Sequence, residues 1–310
     1  MSTGAEGSSG APLAGSSVAE SSVAGSSLAG SSVAGSSVAA VGPGPEPRGL
    51  ASLSALDRQQ ADAFGSLYAD RAPAPVAVVI AAYNEESSVG TVVGAVPAQL
   101  CGLPTEAIVV VDGSSDKTAQ MASAAGALVC DVPTNRGQGA ALRLGYLLAR
   151  QRGARFILTS DADGQYLSDD MERVLSPLVN DEADFVSGSR RLGSTTSNDS
   201  VRNLGVVLFA GLISVLVGQK VTDPSCGIRA MKADVTAQVV LDQPQYQASE
   251  LLIGTVMAGY RYKEVPIAMK ARRHGKTKKG GNLLYGARFC SVVIGTWSRE
   301  RRRSTKTKRS

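Results

Sequence analysis

The sequence predicts an α/β protein with a mostly parallel central sheet, and two observations carry that prediction. Short β-branched runs alternate with helical apolar patterns from residue 76 to residue 187, and polar, acid-bearing turns come after the runs. Strands alternating with helices at this spacing imply right-handed crossovers and a sheet covered on both faces. Ligands of such sheets gather at the carboxyl ends of the strands, so the polar turns mark a candidate site.

Residues 76–81 (VAVVIA), between Pro75 and the polar Asn84-Glu85, have the composition of a buried parallel strand. Val89, Val92, Val93 and Val96 then fall at helical spacing, ending at Pro97. Residues 107–111 (AIVVV) predict the second strand and 116–125 a helix; 128–132 predict a short third strand, and 140–150 a helix with Leu144, Leu147 and Leu148 on one side. Residues 155–160 (RFILTS) predict the fourth strand, 169–178 a helix and 183–187 a fifth strand. The run 204–217 is apolar on nearly every face but spans 14 residues, short of the roughly 20 a bilayer crossing needs. It is read as a buried helix, or as one lying against lipid or a membrane partner.

The ends differ from this middle. From 15 to 39 a five-residue unit repeats (GSSVA, ESSVA, GSSLA, GSSVA, GSSVA), too small and polar to bury a core. The expected organisation is therefore a disordered Ala/Gly/Ser-rich segment over 1–49, a linker or short helix over 50–74, a folded α/β domain over 75–281 that holds the candidate site, an amphipathic apolar helix over 282–298 and a basic tail over 299–310. No basic region followed by an apolar stretch opens the chain, so secretion is not expected. Four cysteines without paired spacing suggest neither a zinc site nor a disulfide framework, which fits a reducing cytoplasm. Residues 261–310 carry 16 Lys or Arg against two acids; with +5 overall, the first 260 residues stand at −9. Such a positive end suits an anionic surface or simply water. It lacks the interleaved aromatics and reading motif of a nucleic-acid binder.

The strongest chemical signal is Asp161-Ala162-Asp163-Gly164-Gln165, directly after the fourth strand. In an extended segment side chains alternate with period two, so Asp161, Asp163 and Gln165 are expected to converge on one point. An all-oxygen donor set favours a hard ion, Mg²⁺ or Mn²⁺, over zinc. The alternative is a turn that only caps the following helix through Ser168 or Asp169. Tyr83-Asn84-Glu85 ends the first strand and Asp112-Gly113-Ser114-Ser115-Asp116 the second, on the same rim, where a base and ribose can be held while a metal takes a diphosphate. Asn135-Arg136-Gly137-Gln138-Gly139 precedes a helix whose free amides suit an anion or ribose contact.

Taken together, AYNEE, VVDGSSDKT, NRGQGAA, DADGQY and TDPSCGIRAMK, in this order over 76–281, resemble the family 2 glycosyltransferases of the nucleotide-diphospho-sugar transferase (GT-A, Rossmann-like) fold. Gly188-Ser189-Arg190, Arg202, the Asp223–Arg229 motif, Glu264-Val265-Pro266-Ile267 and Gly275-Lys276-Thr277-Lys278 are similar to the dolichyl-phosphate mannose synthase type within that family. The resemblance implies that Tyr83, Asn84, Glu85, Asp112 and Arg136 hold the nucleotide sugar, while Asp161, Asp163 and Gln165 serve the metal and its diphosphate. It further implies that Arg190 and Arg202 meet an acceptor phosphate, and that Arg272, Thr277 and Lys278 close over the donor. Two positions depart from the family pattern: Ala81 stands where a proline is usual, and Val111 where the first of two paired acids is usual.

The expected activity is an inverting transfer from a GDP- or UDP-linked sugar to a polyprenyl phosphate, performed by a peripheral enzyme on the inner membrane face, at an anionic surface or with a membrane partner. Should the acceptor be a sugar hydroxyl instead, a carboxylate must take its proton; Asp223 and Glu250 are the candidate catalytic bases. A catalytically silent nucleotide-sugar-binding adaptor is the reading from another class.

Overall fold

The computed structural model describes residues 54–166, 168–195, 200–243, 245–269 and 282–307. The N-terminal repeat and the segment with Arg272, Thr277 and Lys278 lie outside them. In chain order the elements are α1 (Ala55–Leu67), β1 (Val76–Ala82), α2 (Val89–Gly94), β2 (Gln99–Leu100), β3 (Leu103–Asp112), α3 (Thr118–Ala124), β4 (Leu128–Val132), α4 (Gln138–Gln151) and β5 (Phe156–Asp161). They continue with α5 (Ser168–Val179), β6 (Phe185–Thr195), α6 (Ser200–Val217), β7 (Arg229–Lys232), α7 (Ala233–Gln238), α8 (Gln247–Met257), β8 (Tyr262–Met269) and α9 (Asn282–Thr307).

Strands β4, β3, β1 and β5 lie side by side and parallel, Val76 of β1 standing opposite Thr105 of β3 and Phe156 of β5. Beyond β5 the sheet continues β7, β6, β8; β7 is antiparallel to both its neighbours, and β6 and β8 are parallel. The expected parallel half is present. The antiparallel β7 has no counterpart among the expected strands, because the four residues RAMK offer neither an apolar run nor an alternation.

Alternation explains why the strands read as continuous apolar runs. Ala77 and Val79 of β1, Ile108 and Val110 of β3 and Ile157 of β5 point to one face, under Leu144 and Leu148 of α4; Ala61 and Phe64 of α1, and Phe289 and Val293 of α9, extend the same core cluster. Val78 and Ile80, Val109 and Val111, and Leu158 point to the other, under Val92 of α2 and Met171, Val174 and Leu175 of α5. Each strand therefore buries both sides, and its polar residues are confined to its ends.

Helix α1 begins with a capping box. Ser54 Oγ accepts the Asp57 N–H at 3.1 Å, and the Asp57 carboxylate accepts the Ser54 N–H at 3.0 Å. Helix α9 corrects the expected boundary at residue 298, for it runs unbroken to Thr307, and Arg299 within it reaches back to Glu250. It is not an apolar helix held away from the body: Phe289 and Val293 enter the core, and the Trp297 Nε1–H donates to the Leu216 carbonyl of α6 at 2.8 Å. Among the described residues no helix is long and apolar enough to cross a membrane.

Candidate active site

The acid-bearing turns meet on one rim. β1, β3 and β5 are parallel and end at Ala82, Asp112 and Asp161; β7, running the other way, begins beside them, so the 222–228 loop joins the same rim.

Asn84 adopts the left-handed conformation (φ 51°) and bridges two of these turns. Its backbone N–H donates to Ser114 Oγ at 3.0 Å, and its Oδ1 accepts the Ser115 N–H at 2.9 Å. The Glu85 N–H donates to Thr118 Oγ1 at 2.8 Å, and its Oε2 accepts from Ser88 Oγ at 2.8 Å. Tyr83 stands exposed beside them. Asn84 and Glu85 thus brace the rim on which Tyr83 stands.

Asp112 is buried, and its Oδ2 accepts the N–H groups of Arg136 and Gly137 at 2.8 and 2.7 Å. Gly113 (φ 68°) lies so close to the backbone of Asn135 that a side chain there has no space. The loop before α4 is therefore strapped to the end of β3. From it Gln138 Nε2 donates to Asp161 Oδ1 at 3.2 Å. On its other flank the loop lines an open cavity of about 530 Å³ with Gln243, Tyr246 and Arg288.

The expected convergence of Asp161, Asp163 and Gln165 by strand alternation is corrected in its geometry. β5 ends at Asp161, and 162–164 form a turn with Gly164 at φ 72°, so the period of two does not continue. Asp163 is buried within the turn, its Oδ1 accepting the Gln165 N–H at 3.2 Å. Asp161 is half-buried, and its carboxylate lies against the backbone of Gly227, where a Cβ would displace it. Among the described residues no three His, Cys, Asp or Glu form a ready cage for a metal ion. Two carboxylates and an amide nevertheless fit Mg²⁺ or Mn²⁺, which keep one or two protein carboxylates and take the rest of their shell from water and substrate phosphates.

Both candidate bases are buried and engaged by other groups. Asp223 is fully buried, Arg190 Nε holding its Oδ2 at 2.6 Å and Arg190 Nη2 its Oδ1 at 2.7 Å. Burial alone would raise this carboxyl, but the hydrogen bonds and charge of Arg190 outweigh it and hold the group below its ordinary value. A carboxylate so engaged is a poor proton acceptor. Glu250 is equally buried: its oxygens accept the Asp242 and Gln243 N–H groups at 3.0 Å and face Arg299 Nη1 at 3.1 Å, so it ties the chain before α8 to α9. Arg190, the expected acceptor-phosphate ligand, stands at the rim with its guanidinium bound to Asp223 and to Ser225 Oγ at 2.8 Å. The Arg202 side chain lies outside the described residues.

Sequence reasoning passed over a role for Glu264 at the site. Its carboxylate accepts the Thr222 and Asp223 N–H groups at 2.9–3.0 Å and so fixes the loop that carries Asp223. The motif around it is visible in the sequence; only the topology, which puts β8 beside β6 and close to that loop, gives it a role. Gln138 is likewise visible within the NRGQG turn, with no signal linking it to Asp161.

A parallel sheet carrying acids and a strapped turn at its strand ends is the GT-A-like glycosyltransferase architecture. The crystal structure of glucosyl-3-phosphoglycerate synthase from Mycobacterium tuberculosis with Mn²⁺, UDP and phosphoglyceric acid superposes with a TM-score of 0.55 at 21% identity, covering 76% of this chain and 82% of that one. Residues 77–240 match Glycosyl transferase family 2. The chain belongs to that family and is a glycosyltransferase of the nucleotide-sugar-dependent kind. A dolichyl-phosphate hexose transferase of Haloferax volcanii is 33% identical over 203 residues, 66% of this chain and 86% of the relative. An undecaprenyl-phosphate mannosyltransferase of Micrococcus luteus is 28% identical over 224 residues, 67% of this chain and 89% of the relative.

Proposed function

We propose that this protein moves a sugar from a nucleotide-diphospho-sugar to a polyprenyl phosphate, with inversion, at a membrane surface and with Mg²⁺ or Mn²⁺ as cofactor. The observation that carries the reading is the pair Asp161 and Asp163 at the end of β5, beside the turn that Asp112 straps down. The names of the two relatives support the acceptor, and the UDP and Mn²⁺ of the structural neighbour support the donor and the metal.

Asp161, Asp163 and Gln165 would hold the ion. Bound there, it would offset the negative charge that develops on the departing nucleotide diphosphate. Tyr83 gives a stacking face for a base, and Arg136 and Arg288 line a cavity suited to an anion. A phosphate acceptor is already ionised at neutral pH and needs no general base, which agrees with Asp223 and Glu250 both being committed elsewhere. Arg190, with Arg202 and the segment of Arg272, Thr277 and Lys278, is retained as the proposed acceptor-phosphate and donor-closing set.

Attachment to a membrane face draws on α6 and α9. Leu208 and Val215 of α6 are 64% and 82% exposed, seven residues apart and so on one side of the helix, and Arg301, Arg302 and Arg303 of α9 are exposed cations. A screen of radiolabelled GDP- and UDP-sugars against membranes tests the whole reading. Label is expected in an organic-extractable lipid; label confined to water-soluble product would overturn the acceptor.

A further inference from the structure

Helix α1 lies outside the residues that match the family, yet it reaches the site through one ion pair. The Asp57 carboxylate holds the Arg136 guanidinium through Oδ1 and Nη1. Both side chains are largely buried, and Asp57 is itself oriented by Ser54, whose Oγ donates to its Oδ2 at 2.8 Å.

Arg136 sits between two acids. Its Nε lies 3.5 Å from Asp112 Oδ1, too far for a hydrogen bond, and both atoms are buried without a hydrogen-bond partner among the described residues, as is Arg136 Nη2. The pair Asp112 and Arg136 therefore does not hold the guanidinium by itself; what fixes it is Asp57. From Arg136 the connection runs along the backbone. Its N–H and that of Gly137 are bound by Asp112, and Gln138, the next residue, holds Asp161. A continuous chain of contacts thus joins α1 to the carboxylate proposed for the metal.

We propose that Asp57 is a positioning residue for the donor: by fixing Arg136 it sets the turn at 135–138, and through Gln138 the orientation of Asp161, so that α1 is a working part of the nucleotide-sugar site. This rests on the reading under Proposed function. It also gives the buried Asp57 a role beyond the capping box of α1, which by itself does not require Arg136.

The test measures Mn²⁺-dependent binding of UDP and of GDP by calorimetry, and donor KM and kcat, for the full chain, Asp57→Asn and Tyr68→Phe. Tyr68→Phe loosens the same end of the structure by removing the hydroxyl that accepts the Val129 N–H at 2.8 Å, and it leaves the ion pair intact. Asp57→Asn is expected to weaken nucleotide binding and raise the donor KM about tenfold, the scale on which outer partners of ligand-holding groups act, with kcat changed far less. Tyr68→Phe is expected to lower the melting temperature while leaving both unchanged. In an Arg136→Gln background Asp57→Asn should add nothing further. Parent-like binding by Asp57→Asn, or an equal loss in Tyr68→Phe, would overturn this inference alone. A parent that binds neither nucleotide would overturn the functional reading and this inference with it.

Discussion

Arg190 grips both carboxylate oxygens of Asp223, and that carboxylate has no exposed surface. A buried pair of this kind is costly to break from one side, since the remaining charge is left without compensation. Arg190→Leu is expected to lose about 3–5 kcal/mol of stability in urea unfolding, and Arg190→Met combined with Asp223→Leu distinctly less. Equal losses would mean that the charges are not paired in the folded chain.

Asp223 and Asp57 contribute to the acid side of the stability profile, beside Asp184, whose carboxyl Arg261 and Lys232 hold well below its ordinary value. Burial pushes the Asp223 and Asp57 carboxyls up, but hydrogen bonds, chiefly from Arg190 and from Arg136 and Ser54, hold both below their ordinary values. A carboxylate depressed in the folded state contributes stability that is complete above the unfolded pKa, about 4, and is lost as pH falls through the lower folded value. Melting temperature should therefore fall steeply below about pH 4, and less steeply in Asp223→Asn, whose baseline stability is already reduced. An identical slope in the variant would count against the pairing.

Glu250 separates structure from chemistry. Because its oxygens hold two backbone N–H groups and Arg299, Glu250→Gln is expected to cost about 1–3 kcal/mol while kcat stays within about twofold of the parent. Full stability with lost turnover would restore it as a base.

Membrane attachment is read from exposed side chains that the fold does not need. Leu208→Asp and Val215→Asp should leave the melting temperature nearly unchanged and reduce co-sedimentation with vesicles containing anionic lipid. Undiminished co-sedimentation would remove α6 from that surface.

The parallel half of the fold was legible because β1, β5 and the second half of β3 bury both faces, which gives each a short continuous apolar run. The rest was hidden where that condition fails. β7 is four residues with charged ends, and β6 continues past Ser187 through the polar stretch to Thr195. At the site, residue types at strand ends could be read, but partners could not. Nothing in the spacing of Arg190 and Asp223, 33 residues apart, shows that a presumed phosphate-binding cation and a presumed base satisfy each other, and nothing links Glu250 to Arg299, 49 residues on. Helix α9 was ambiguous for a related reason: its apolar residues and Trp297 suit a lipid surface in isolation, and only the docked partners α6 and α8 show that Phe289, Val293 and Trp297 are used internally while Ile294 stays exposed.

Catalysis as proposed depends on Asp161 and Asp163 holding a divalent ion and, through it, the donor's phosphates. The most direct measurement is the initial rate of sugar transfer by the parent with Mn²⁺, by the parent in excess chelator and by Asp163→Ala with Mn²⁺. A drop of about 100-fold or more is expected in the last two, with activity of the chelated parent restored by added metal. A chelated parent or an Asp163→Ala chain that turns over as fast as the untreated parent would contradict the proposed metal site.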